Sequence, residues 1–260
     1  MAKRAPMQYE FDHLVIMARD QMRLVAKQFS DLGFHLSAKS THNLGSSNQL
    51  IVLDSTYLEI LGWEAGTVPQ RAEIANLAFG LDALVFRTNN AEACFKSLNE
   101  AGFAPNAVQN LSRPAQVGNE IKQAFFKTVR FSQQPIEGLR IYFCEHVTPN
   151  FVWVNADQQH PNQLNHLQSI TLGSANPAET FFVLQKLLQL DKLDKQVDAL
   201  NCTSQKLEPL QLLLPNCVLK IEYQAKMQVA QMIDFVLVQE GKPVELHINQ
   251  TMLRASPTHQ

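Results

Sequence analysis

The chain has 260 residues, 45% of them hydrophobic and 18% charged, with a net charge of -2. These are the proportions of a soluble globular protein, with no broad field to attract nucleic acid or an anionic membrane. No segment approaches the roughly 18 consecutive apolar residues of a membrane span. The cations Lys3 and Arg4 precede no apolar run, and Cys94, Cys144, Cys202 and Cys217 form no C-x-x-C pair. This predicts reduced thiols in a cytoplasmic protein.

In chain order, residues 11–17 are almost all apolar, as in a strand buried on both faces. A helix follows from Arg19-Asp20, with Met22, Val25, Phe29 and Leu32 at helical spacing and Gly33 as its C-cap. Residues 34–38 read as a second strand and 41–48 as a polar turn, with 49–53 and 56–62 forming a hairpin around Asp54-Ser55. After a loop over 64–78 the order starts again: a strand over 81–87, then a helix over 91–101 capped by Gly102. Residues 105–113 are irregular or extended, and 124–131 and 139–146 are strands. The spacing from Ala83 to Gly102 nearly matches that from His13 to Gly33, which marks an internal duplication.

The polar stretch 148–162, with Pro149 and Pro161, reads as the main linker. Beyond it come a strand over 167–173, a helix over 177–190, and strands over 210–214, 218–223, 232–238 and 244–249. Gly241-Lys242 would turn the last two into a hairpin, no fourth helix is evident, and the tail from Ser256 reads as loose. The division is therefore a domain over 8–150, built of units at about 8–65 and 79–147, a linker over 151–162, and a degenerate third unit over 163–252.

The sequence Phe11-Asp12-His13-Leu14-Val15-Ile16, the Leu32-Gly33-Phe34 helix end, the His42/Gly45/Asn48 loop and Tyr57-Leu58-Glu59-Ile60-Leu61 together resemble the vicinal oxygen chelate superfamily. Thr148-Pro149, Trp153 and His160-Pro161-Asn162 continue the likeness to its glyoxalase-like domain proteins, as in the glyoxalase, bleomycin-resistance and dioxygenase group. The resemblance implies an α+β fold in which paired β-α-β-β-β units form an open half-barrel around a cleft. It also implies a divalent metal ion (Fe, Mn, Ni or Zn) held by inward residues of the first and last strands of each unit. On that pattern His13 and Glu59 are metal ligands, with Glu59 also the candidate catalytic base. In the second unit Ala83 stands in the place of His13 and cannot ligate. The place of Glu59 falls at about Cys144, whose strand-face neighbour His146 is the candidate third ligand.

Each candidate has a plainer reading. A histidine in a strand is often satisfied by core partners, and an acid in a strand can turn to solvent, but burying Glu59 without a partner would be costly. His42, Asn48, Tyr57 and Arg113 are candidate substrate contacts, the arginine as a clamp for a carboxylate or phosphate. His166 with Glu222 is a weaker pair in the third unit, and Cys144 reads more simply as a small buried hydrophobe. The leading function is a metal-dependent enzyme on a small oxygen-bearing organic substrate, of lyase, isomerase or dioxygenase type. The alternative, favoured by Ala83, is a metal-free protein of bleomycin-resistance type that sequesters a small molecule in a cleft lined by Tyr57, Phe86, Phe126 and Tyr142. A partner protein with a vestigial cleft is a third reading. The resemblance is compatible with a homodimer, although one chain can pair its own units.

Overall fold

The computed structural model describes residues 9–42, 45–67, 69, 72–190, 208–239 and 245–254. Lys3, Arg4, Cys202, the Gly241-Lys242 turn and the tail from Ser256 lie outside them.

The first unit comprises β1 (Glu10–Arg19), α1 (Met22–Asp31), β2 (Ser40–Thr41), β3 (Ser47–Val52) and β4 (Tyr57–Gly62). A short helix, α2 (Ala72–Ala75), lies in the connecting loop. The second unit repeats the order with β5 (Gly80–Arg87), α3 (Ala91–Glu100), β6 (Gln109–Val117), β7 (Glu120–Val129) and β8 (Arg140–His146). The duplication is visible in the caps, because Gly33 and Gly102 both end their helices at φ +83°. That left-handed conformation suits glycine, which has no Cβ to clash.

Both units share one eight-stranded sheet, ordered β2-β3-β4-β1-β5-β8-β7-β6. β1 and β5 run antiparallel at its centre, crossing at Leu14 opposite Leu84. Each has the last strand of its own unit as a parallel neighbour, β4 beside β1 and β8 beside β5. The sheet curls until its edges approach, and Ser40 Oγ beside β3 donates to the Pro114 carbonyl of β6 at 2.6 Å. The result is a half-barrel that is nearly closed.

Alternation along β1 divides the molecule into two cores. Leu14, Ile16 and Ala18 face outward onto α1 and α3, while Val15 and Met17 face into the barrel beside Tyr57, Ala83, Phe126 and Tyr142. Full burial of each large side chain in these layers contributes about 1.5–3 kcal/mol. Phe86 belongs to the outer core with Phe11 and Phe143. It is therefore not a lining residue of the cleft, because it sits one residue out of step with Val85.

The third unit comprises β9 (His166–Ser174), α4 (Pro177–Leu187), β10 (Leu210–Leu214), β11 (Cys217–Tyr223), β12 (Gln231–Val238), β13 (Glu245–Asn249) and a short helix α5 (Gln250–Arg254). Its sheet, β10-β11-β9-β12-β13, keeps the parallel neighbour and the antiparallel centre of the larger sheet. It is a degenerate copy. Leu172, Leu212 and Phe235 join the outer core of the half-barrel, so the two sheets share one apolar layer. Asn216 holds the seam with a reciprocal pair of bonds to the backbone of Phe11, at 3.0 and 2.8 Å.

Two expectations change, for 34–38 and for the helix count, and two segments gain detail. Residues 34–38 form no strand, because Leu50 N there bonds the Ser37 hydroxyl as well as its carbonyl accepting from Ser37 N, and no ladder develops. Residues 105–113 run into a long strand, β6, paired residue for residue with β7. The 148–162 stretch opens with a 3-10 turn at Pro149–Phe151, and buried His160 sits 3.0 Å from the Val52 carbonyl. Finally, α5 is a short additional helix after β13.

Candidate functional site

The half-barrel encloses a small cleft lined by His13, His42, Asn48, Tyr57, Glu59 and Arg113, among others. Six of the seven residues singled out from the sequence therefore converge. His13 and Glu59 come from neighbouring parallel strands, with Val15 beside Glu59 and Tyr57 beside His13. This register leaves His13 Nε2 3.6 Å from Glu59 Oε2, with the two residues 3% and 5% exposed. The Tyr57 ring stacks on the imidazole at 4.3 Å between centroids.

Each of the two groups is held from behind. His13 Nδ1 lies 2.6 Å from Asp12 Oδ2, which fixes Nδ1 as the protonated nitrogen and turns Nε2 toward the cleft. The Asn48 amide donates to Glu59 Oε1 at 2.7 Å, and His42 Nε2 lies 3.8 Å from the same oxygen. Burial alone would raise the Glu59 pKa, but His13, His42, the Asn48 bond and Arg113 outweigh it and hold the carboxyl below its ordinary range. Glu59 is a carboxylate in a nearly dry site.

Asp12 is a residue that strand alternation hides. By strict alternation it would face away from His13, toward the helices. Between β1 and β5, however, Phe11 pairs with Phe86 and His13 with Val85, so Asp12 is the extra residue of a bulge. A bulge re-aims the side chain it carries. Fully buried Asp12 thus accepts from Arg87 Nε at 2.8 Å and from His146 Nε2 at 2.8 Å, besides His13. Burial pushes its pKa up, yet His146 and His13 overcome that and hold it well below the usual carboxylate range.

His146 is the seventh residue, and it goes elsewhere. Its Nε2 is committed to Asp12, and its ring packs among Tyr57, Phe126 and Trp153. It does not line the cleft with Glu59. Among the described residues, the group of three potential ligands whose donor atoms lie within 4.8 Å of one another is Asp12, Cys144 and His146. That spacing fits a divalent ion. Arg87 already sits on Asp12, so a cation there would meet a positive neighbour.

The register also corrects the pseudo-symmetric partner of Glu59. Leu14 lies beside Leu58, and Leu84 beside Ile141. The counterpart of Glu59 is therefore Tyr142, and Cys144 corresponds to Leu61. Ala83 remains the counterpart of His13. Tyr142 OH lies 3.2 Å from His13 Nε2, and burial followed by the Glu59 charge pushes its pKa up, so the phenol keeps its proton. Arg130 and Arg140 flank its ring at 4.7 and 5.5 Å, the latter paired with Asp82.

His166 and Glu222 do not meet: His166 starts β9 and bonds Asp54 at 2.7 Å, whereas Glu222 pairs with Gly173 at its far end. Arg113 is 5% exposed, packs 5.7 Å from the Phe126 ring and donates to the Pro114 carbonyl. No helix among the described residues is long and apolar enough to cross a membrane.

Paired β-α-β-β-β units sharing one curled sheet are the architecture of the vicinal oxygen chelate superfamily. The chain belongs to the glyoxalase-like domain family, whose match spans residues 11–188. Comparison with curated protein sequences gives no match. Among solved structures, the chain resembles a hypothetical protein from Staphylococcus aureus at 14% identity and a TM-score of 0.66, covering 92% of this chain and 98% of that one. It also resembles a xylose isomerase-like TIM barrel/4-hydroxyphenylpyruvate dioxygenase fusion protein at 15% identity and a TM-score of 0.51, covering 91% of this chain and 37% of that one. At such identities the likeness is one of fold.

Proposed function

We propose that the protein is a metal-dependent enzyme acting on a small oxygen-bearing organic substrate, with His13 and Glu59 holding the ion. The observation that carries this reading is the face-to-face approach of His13 Nε2 and Glu59 Oε2 at 3.6 Å. With Nδ1 protonated toward Asp12, Nε2 presents a lone pair toward a carboxylate. Besides the Tyr142 hydroxyl 3.2 Å from Nε2, these two facing acceptors suit a positive centre between them, a proton or a metal ion. Imidazole and carboxylate suit Fe, Mn, Ni or Zn, and the Asp12 bond behind His13 is the kind of support that orients a ligating histidine. Asn48, whose amide nitrogen holds Glu59, has its Oδ1 buried with no hydrogen-bond partner.

A bound ion would supply Lewis-acid stabilisation of charge developing on substrate oxygens, the step shared by lyase, isomerase and dioxygenase chemistry in this superfamily. The residues themselves have separate tasks. Asp12 fixes the tautomer of His13, and Asn48 fixes the orientation of Glu59. Tyr142, kept protonated, is placed to donate a hydrogen bond to a substrate oxygen near His13. Glu59, held ionised, would help hold the ion and is the candidate acceptor of a substrate proton. Arg113 adds positive charge at the same end of the cleft.

A metal-free binding protein is the second reading. Ala83 and Tyr142 favour it, because they occupy the two positions where pseudo-symmetry would supply further ligands. Elemental analysis of untagged native protein separates the two. The enzyme reading expects near-stoichiometric transition metal, lost in His13→Ala and in Glu59→Gln with the circular dichroism spectrum retained. Metal-free native protein, or a content unchanged in both variants, would overturn the assignment of these ligands.

A further inference from the structure

The cleft is too small for an organic substrate. Its volume is about 40 Å³, room for an ion and roughly one to three water-sized bodies. Behind it lies a chamber of about 1460 Å³ between the half-barrel and the third unit. Ile74 and Tyr142 line both spaces, so the two adjoin there. One wall of the chamber comes from the starts of β5 and β8, and the other from Met227 to Ile233 and the start of α5.

We infer that this chamber binds the uncharged, apolar body of an elongated organic ligand. The charged side chains that line it among the described residues, Asp82, Arg130 and Arg140, are engaged with the protein itself. Asp82 and Arg140 neutralise each other, with Arg140 Nε 3.1 and 3.0 Å from the two carboxylate oxygens. Arg130 Nε donates to Thr128 Oγ1 at 3.1 Å, and its Cζ lies 4.7 Å over the Tyr142 ring. Two amides of the wall are engaged as well: Asn106 Oδ1 accepts from Ser132 Oγ at 2.9 Å, and Gln134 Oε1 from Ile141 N at 2.8 Å. Against them stands half-buried apolar surface, from Leu77, Phe79, Leu81 and Val108 on one side and Met227 and Ile233 on the other. Covering such surface is favourable in proportion to the apolar area removed from water, whereas a charged body would give up hydration there.

The chamber exists because the third unit is present. Ile170 lies beside Leu219 and Phe235 as Leu14 lies beside Leu58 and Leu84, so Ser169 and Lys220 stand where the first unit has His13 and Glu59. The third copy has lost the pair and become a wall. Gln250 of α5 bridges to the backbone of Phe79 and Leu81 at 2.7 and 3.0 Å, and Ala230 N bonds the Glu137 carbonyl at 3.1 Å. These bonds hold the two walls together. That the ligand is the substrate, with an oxygen-bearing end reaching past Tyr142 to His13 and Glu59, rests on the function proposed above. That an apolar body binds does not.

Isothermal titration calorimetry of the full chain, dialysed free of metal, tests it with 1-butanol, 1-hexanol and 1-octanol. Affinity should rise about three- to fourfold per added methylene, at a single site. Octanoate and octylammonium should both bind more weakly than 1-octanol, because each carries a charge into an apolar space. In protein labelled with 13C at the methionine methyls, 1-octanol should shift the resonances of Met227 and Met232, which line the chamber. Val108→Asp combined with Ile233→Asp sets a carboxylate on each wall and should weaken 1-octanol by roughly tenfold, as if about two methylenes were no longer covered. No saturable binding, tighter binding of octanoate or octylammonium, no shift at Met227 and Met232, or unchanged affinity in the folded double variant would overturn the inference. Native protein lacking metal but binding 1-octanol in this way would refute the enzyme reading alone. Metal bound through His13 and Glu59 without alkanol binding would refute the chamber alone.

Discussion

Replacing Asp12 by Asn tests the claim that one buried carboxylate organises the site. Asp12 is fully buried and accepts four hydrogen bonds from three residues: Arg87 Nε at 2.8 Å, His13 Nδ1 at 2.6 Å, and His146 Nε2 at 3.0 and 2.8 Å to its two oxygens. Asparagine offers one acceptor oxygen and turns an NH2 toward groups that are themselves donors. Removing one member of a buried charged cluster is worth about 3–5 kcal/mol. The lower end applies, because the Arg87 side chain is 23% exposed and keeps Glu10 at 3.2 Å. About 3 kcal/mol in a chain of this length corresponds to a Tm drop of roughly 6–12 °C.

The pH dependence carries the sign. Burial raises the Asp12 pKa, but His146 and His13 more than reverse it, so the folded-state value lies below the unfolded one. The contribution is then complete above the ordinary aspartate range and is lost as pH falls through the folded value. In metal-free protein followed by circular dichroism, the Tm gap between wild type and Asp12→Asn should be full at pH 7 and shrink below about pH 4. A Tm within about 2 °C of wild type at pH 7, or a gap that widens on acidification, would refute the account of Asp12 as the organising anion.

Three further outcomes follow from single contacts. Tyr142→Phe removes the hydroxyl 3.2 Å from His13 Nε2; it should cost about 1 kcal/mol of stability by denaturant titration and shift the His13 ring resonances in NMR, whereas unchanged resonances would exclude the contact. Gly138→Ala should destabilise by about 1–3 kcal/mol, since Gly138 has φ +85° and an added Cβ would meet the Ala230 carbonyl at 2.4 Å; a neutral effect on urea unfolding would contradict that close approach to the third unit. Cys144 should resist iodoacetamide at pH 8 in the folded protein, because burial and then the Asp12 charge hold its thiol protonated; rapid alkylation detected by mass spectrometry would contradict both.

The repeat was legible in the chain itself. Apolar strands, helical spacing and the glycines at 33 and 102 are local properties, and the structure returns them with shifts of a residue or two at most ends. His13 and Glu59 were singled out through the resemblance, which implies neighbouring first and last strands; the two strands do pair in parallel, and both side chains line the cleft. The 34–38 segment was misjudged because it meets β3 only through Ser37 and Leu50, and the extent of β6, read as irregular or extended, emerged only from its hairpin with β7.

What only the tertiary structure decided is register and shape. A bulge is an extra residue with no composition of its own, so nothing in Phe11-Asp12-His13 announced that Asp12 would turn back to His13 and draw His146 and Arg87 with it. A two-residue error along β8 exchanged Cys144 for Tyr142, since period-two alternation makes both equally good inward residues. The chamber beside Tyr142 depends on how two sheets share a core, a property of packing between distant segments. Sequence patterns name the face on which a side chain lies; the partner across from it depends on long-range pairing that no local pattern encodes.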